Sequence, residues 1–161
     1  MKPIAIWTTV LLAAGCAGGA PGSRLVPGES TGAEVQKVMG APAERRPGPN
    51  GETVLWYPLL PYGRVSYAAR IGKDDRLIGV EQRITQENLD RLQPGMARQS
   101  DVRDLLGPPS QDDWFPRQQR RMWAYQAQGA QQAQLYILQF SQDGVLREKY
   151  VINDSVSLDG K

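Results

Sequence analysis

Residues 24–56 read RLVPGESTGAEVQKVMGAPAERRPGPNGETVLW, and residues 91–123 read RLQPGMARQSDVRDLLGPPSQDDWFPRQQRRMW. Laid over each other at an offset of 67, the two stretches share nine identities: Arg24/Arg91, Leu25/Leu92, Pro27/Pro94, Gly28/Gly95, Val35/Val102, Gly40/Gly107, Pro42/Pro109, Pro49/Pro116 and Trp56/Trp123. Average residue usage gives roughly two over such a length. Beyond Trp56 the offset becomes 69, so that Tyr67 meets Tyr136, Ile71 meets Phe140, Asp74 meets Asp143 and Leu77 meets Leu146. One unit is written twice, and the second copy carries a two-residue insertion.

Each copy spells the same elements. Thr31 and Glu34 have capping-box spacing, Val35, Val38 and Met39 follow at helical spacing, and Gly40 and Pro42 end the helix. In the second copy Val102, Leu105 and Leu106 form that stripe and Gly107, Pro108 and Pro109 stop it. Arg98 stands where the capping Thr31 stood, so Gln99 or Ser100 is expected to cap in its place. Strands follow at 53–57, 65–71 and 77–84, and again at 120–125, 136–140 and 145–152, with hairpin turns at 72–75 and 141–144. Between the copies, Thr85 to Asn88 offers a helix start with Leu89 and Leu92 on one side. The fold predicted is α+β: two tandem repeats, each a helix plus a three-stranded antiparallel meander, packed as one body. A unit of about 67 residues buries only about 60% of its surface, whereas about 150 residues bury nearly 70%, which favours joint packing through a shared sheet or stacked helices. Trp56 and Trp123, at matching places, are expected in the core or between the repeats rather than at a ligand site.

The first residues read as an address. Lys2 precedes an apolar run from Ile4 to Leu12, and Ala13-Ala14-Gly15 leads to Cys16. That is a secretory signal, too short for a membrane-spanning helix. The lone cysteine after Ala-Ala-Gly resembles a bacterial lipoprotein signal in which Cys16 is acylated. Expected domains are therefore a signal peptide at 1–15, a flexible tether at 16–23, and repeats at 24–84 and 85–161. Composition supplies exclusions. The chain has no His and one Cys, which removes a Ser-His-Asp triad, a Cys-His pair, an internal disulfide and the usual Cys/His zinc site. A net charge of +2 argues against wrapping nucleic acid. Asp74-Asp75 and Asp112-Asp113 are read as turn residues rather than metal ligands. No cofactor and no metal are expected. Catalysis by carboxylates alone would require a cleft with shifted acids.

Leu92-Gln93-Pro94-Gly95-Met96, then Val102, Leu105-Leu106-Gly107-Pro108-Pro109, Trp123-Ala124-Tyr125 and Phe140 to Leu146, make the second copy resemble the SmpA/OmlA, or BamE-like, lipoprotein family. The first copy matches more loosely, with Glu29 in place of the Met, Met39 in place of the Leu and Asp75 in place of the hairpin Gly. The resemblance implies a non-catalytic lipoprotein of the outer membrane, facing the periplasm, that binds envelope proteins as a scaffold in outer-membrane protein assembly or envelope integrity. The tandem form is also similar to the fold of β-lactamase inhibitor protein, which implies a second reading as an inhibitor of a periplasmic hydrolase.

Two stretches are candidate partner-binding surfaces. Residues 111–121 read as a loop bearing Trp114, Phe115, Arg117, Arg120 and Arg121, residue types enriched in binding hot spots. The competing expectation is that an aromatic folds back over the helix and the arginines form a solvated rim. Residues 57–64, with Tyr62 and Arg64, read as an exposed apolar loop or as a cover over the sheet edge. The basic pairs Arg45-Arg46 and Arg120-Arg121 suit anionic lipid headgroups or a solvated face.

Overall fold

The computed structural model describes residues 22–58, 65–128 and 133–153. The signal peptide, Cys16, most of the tether, Tyr62 and Arg64 lie outside the described residues. Among the described residues no helix is long and apolar enough to cross a membrane.

The first half runs α1 (Gly32–Met39), β1 (Glu44–Pro47), β2 (Thr53–Pro58), β3 (Ser66–Ile71) and β4 (Leu77–Gln82). After α2 (Gln86–Arg91) the second half repeats the order with α3 (Gln99–Leu106), β5 (Gln111–Phe115), β6 (Arg120–Gln128), β7 (Ala133–Phe140) and β8 (Leu146–Asn153). The fold is α+β, with two antiparallel sheets ordered β1-β2-β3-β4 and β5-β6-β7-β8. Each meander carries one edge strand more than the sequence predicted, β1 or β5. The sheets remain separate rather than forming one shared sheet.

Equivalent backbone hydrogen bonds tie each helix start to its hairpin. Gly28 N–H donates to Leu77 at 2.7 Å and Gly95 N–H to Leu146 at 2.8 Å. Gly32 N–H donates to Asp75 at 3.1 Å and Gln99 N–H to Gly144 at 3.0 Å. Asp75 and Gly144 both sit at positive φ, 59° and 77°. Asp tolerates that region better than most side chains, so the turn survives without its glycine.

Helix α1 has a complete capping box: Glu34 N–H donates to Thr31 Oγ1 at 3.2 Å and Thr31 N–H donates to Glu34 Oε2 at 2.7 Å. At α3 Arg98 has no acceptor to offer, so only the return half persists, Arg98 N–H to Asp101 Oδ2 at 2.7 Å. Asp101, not Gln99 or Ser100, replaces the missing cap. On the stripes, Val35, Val102 and Leu106 are buried, but Val38 is exposed and Met39 takes the core position one turn after Val35. Leu105, which matches Val38, packs against the second core.

The first core joins Val35 to Leu55, Tyr57, Ala69, Ile71 and Leu77. The second gathers Leu89 and Leu92, the face predicted for α2, with Ile84, Val102, Leu106, Trp123, Tyr125, Leu138 and Phe140. Trp123 meets Phe140 edge-on, with ring centroids 4.8 Å apart.

The matched tryptophans are not structural equivalents. Ile71 pairs with Thr53, and its counterpart Phe140 pairs with Arg121, so Thr53 corresponds to Arg121 at an offset of 68. Leu55 then corresponds to Trp123, Tyr57 to Tyr125, and Trp56 to Ala124. One inserted residue falls in the first hairpin and the other in the second. A one-residue slip turns a side chain to the opposite face of a strand. Trp123 accordingly points at α3, while Trp56 points away from α1 and clusters with Val54 and Ala68.

Candidate interaction surfaces

Residues 111–121 form a β-hairpin rather than a loop. β5 pairs with β6 so that Asp112 opposes Trp123, Trp114 opposes Arg121 and Phe115 opposes Arg120. Gln118 N–H to Phe115 (3.2 Å) and Gln119 N–H to Pro116 (3.3 Å) close the tip, and Gln119 takes φ 51°. The residue inserted here relative to the first half adds the pair Phe115–Arg120 and lengthens the ribbon. Neither aromatic folds back into the core: Trp114 is 48% and Phe115 41% exposed. Because they alternate along one strand, they lie on opposite faces of the ribbon.

The arginines divide into different roles. Arg121 grips Asp112 in a forked pair, Nε to Oδ1 at 2.6 Å and Nη2 to Oδ2 at 2.8 Å. That hydrogen-bonded carboxylate holds the guanidinium above its usual pKa. Arg117 is exposed at the tip and Arg120 is half-buried on the face of Phe115. Asp112-Asp113 therefore belongs to a strand and not a turn, with Asp112 committed to Arg121 and Asp113 on the opposite face. The hairpin offers two exposed aromatics and an exposed Arg117.

The two basic pairs are also placed differently from each other. Arg45-Arg46 lies on β1, the counterpart of β5, whereas Arg120-Arg121 starts β6. Arg46 Nη2 reaches Asp104 at 2.6 Å and its Nη1 reaches Glu44 at 3.3 Å. Glu44 in turn holds Arg103 Nη2 at 2.6 Å. This chain of four charges joins the edge of the first sheet to α3.

Beside it, Trp56 lies against Gly107, the residue that ends α3. A Cβ built on Gly107 would stand 2.3 Å from Trp56 Cε3. Arg83 lies over the Trp56 ring, 6.0 Å from its centroid, and Arg103 over Trp123 at 5.9 Å. The sheet face bearing Trp56 thus packs on the end of α3. Trp56 has the inter-repeat role and Trp123 the core role. Next to this junction an open groove of about 560 Å³ is lined by residues including Pro49, Arg83, Arg91, Leu92 and Leu105, with Met96 80% exposed at its rim. The sequence reading missed the groove. Its one linear signal is Met96 following the Pro94-Gly95 turn, an apolar residue where a turn places it in solvent.

Against known proteins, residues 82–150 match the outer membrane protein assembly factor BamE domain. No curated protein matches the chain. A crystal structure of a DUF4309 family protein (YjgB) from Bacillus subtilis is similar at 16% identity and a TM-score of 0.32, over 81% of this chain and 83% of that one. At that distance the likeness bears on neither fold detail nor function.

Proposed function

We propose that this protein is a lipid-anchored, non-catalytic binding module at the periplasmic face of the outer membrane. In this reading its second half docks on proteins of the outer-membrane assembly machinery, and the first half is a looser BamE-like copy that braces it. The observation that carries the reading is the match of residues 82–150 to an assembly-factor domain. The hairpin inside that segment supplies the contact surface, because Trp114 and Phe115 are solvent-exposed large apolar side chains beside Arg117. The matched domain favours this reading over hydrolase inhibition.

Crosslinking the full lipidated protein in membranes and recovering its partners tests the proposal. An envelope protein should be recovered. The double substitution Trp114→Ala/Phe115→Ala should weaken that association at least about 30-fold, since hot-spot aromatics contribute about 2 kcal/mol or more. The midpoint of thermal unfolding should stay in place, because neither side chain is in a core. Recovery of no envelope partner would overturn the proposal, and a partner retained at full strength by the double variant would remove the hairpin from it.

The anchor has its own test. With Cys16→Ser the protein should leave the membrane fraction and appear in the soluble periplasmic fraction. Retention in the membrane fraction would refute acylation at Cys16.

A further inference from the structure

The face of the first sheet that carries Trp56 also carries charge. Arg46 on β1 and Arg70 on β3 both stand opposite Val54 on β2, so all three share the Trp56 face. Against this face lies a cavity of about 430 Å³, lined by residues including Arg46, Glu52, Trp56, Arg70, Arg83 and, from α3, Asp104. Its size falls within the roughly 300–1,000 Å³ of small-molecule sites. Gly48 lets the chain close over Glu52, because a Cβ there would stand 2.6 Å from Glu52 Cγ.

Several polar groups bordering the cavity are buried and unmet by the fold. Glu52 is 8% exposed and its Oε1 accepts no hydrogen bond from the described residues. Arg70 Nη1 stands 3.9 Å from that oxygen, beyond hydrogen-bond reach. Arg46 Nε, Arg83 Nε and the Trp56 indole N–H are buried donors, likewise without a partner among the described residues. Buried polar groups are nearly always hydrogen-bonded, so such a gathering round one cavity points to a ligand.

The kinds of group define that ligand. The unmet donors call for an acceptor, and the Glu52 carboxylate calls for a donor. The surrounding charge is already balanced: Arg46, Arg70, Arg83 and Arg103 are paired among Glu44, Glu52, Glu81 and Asp104. A ligand with net charge would leave that balance broken in a buried place. Hydrogen bonds between ionised partners are about twice as strong as neutral ones, which favours a zwitterion over a polyol. We infer that the cavity binds a small zwitterion, an α-amino acid. Glu52 receives its ammonium group, and the Trp56 indole N–H with Arg46 and Arg83 receives its carboxylate.

This inference stands apart from the hairpin reading and is tested separately. Calorimetric titration of the full chain in detergent with the common L-amino acids should give saturable binding, with a Kd below about 1 mM for at least one. The same amino acid with its amine acetylated, or its carboxylate converted to an amide, should bind at least about 10-fold more weakly, since each form loses one charged contact. The indole N–H resonance of Trp56, identified by its loss in Trp56→Phe, should shift along the same titration. Glu52→Gln should weaken binding at least about 10-fold and leave the thermal midpoint of the unliganded protein in place, because the fold does not hydrogen-bond the charge removed. Binding by no amino acid overturns the inference and assigns the buried groups to water. Equal binding of the singly charged forms, or tighter binding of glucose or inorganic phosphate, overturns it as well. So does a Trp56 resonance unmoved at saturation, which would put the amino acid elsewhere. Unchanged binding with a lowered midpoint in Glu52→Gln would make Glu52 a structural counter-ion of Arg70 and overturn it equally.

Discussion

Gly107→Ala should destabilise the protein by about 3–5 kcal/mol, and Gly40→Ala by only about 1–2 kcal/mol, measured by urea unfolding. The two glycines end equivalent helices at φ 83° and 86°, so each substitution forces a side chain into the left-handed region at a cost of order 1–3 kcal/mol. They differ in what a Cβ would meet. Nothing lies within 4 Å at Gly40, but at Gly107 the Trp56 ring is already there. Either the ring or α3 must move, and overpacking of that kind adds about 1–3 kcal/mol. The combined loss is a large part of the 5–15 kcal/mol that holds a typical domain folded. Equal losses at the two sites would mean that Trp56 does not pack on Gly107.

The second large effect is alkaline. Tyr125 is buried and its hydroxyl donates to the Gly107 carbonyl at 3.0 Å. Burial, opposed in part by the Arg103 guanidinium and helped slightly by the Asp112 and Glu44 carboxylates, pushes the phenol well above its ordinary range. A raised pKa means that the folded state keeps its proton when the unfolded chain, ionising near pH 10, has lost it. Stability from this group is therefore intact below about pH 10 and falls as pH climbs past it, by about 1.4 kcal/mol per pH unit. Tyr57 and Tyr136 are raised too, mainly by burial, and share in the slope. Tyr125→Phe should cost about 1–2 kcal/mol at neutral pH, because the Gly107 carbonyl loses its donor, and should flatten the alkaline decline. An unchanged pH profile would show that Tyr125 is not protected in the folded state.

What was legible in the sequence was whatever local chemistry dictates. Thr31 with Glu34, Gly40 and Gly107 as helix ends, and Leu89 with Leu92 as one face of α2 could be read from the residues alone. The edge strands could not. ERRP and QDDWF contain no fully buried residue and no apolar alternation, and their strand state comes from the neighbour they pair with. The cap at Arg98 was misplaced because Asp101 acts from the third helical position toward the backbone. The tryptophan match was misleading for a related reason: identity aligned Trp56 with Trp123, but facing is set by the ladder register. Of the candidate surface, residue types singled out Trp114 and Phe115, which the hairpin leaves exposed. The commitment of Arg121 to Asp112 and of Arg46 to Asp104 and Glu44 depends on cross-strand or long-range neighbours.

The shifted tryptophan also breaks the interchangeability that a duplication begins with. A chain made of two second halves would present Ala124 where the indole now sits and leave Gly107 facing a void the size of a ring. A chain made of two first halves would still set a glycine, Gly40, at the end of the second helix, so the asymmetry lies in the indole alone. The plug is written into the first half alone, so reversing the order of the halves would take the indole away from the helix end it fills.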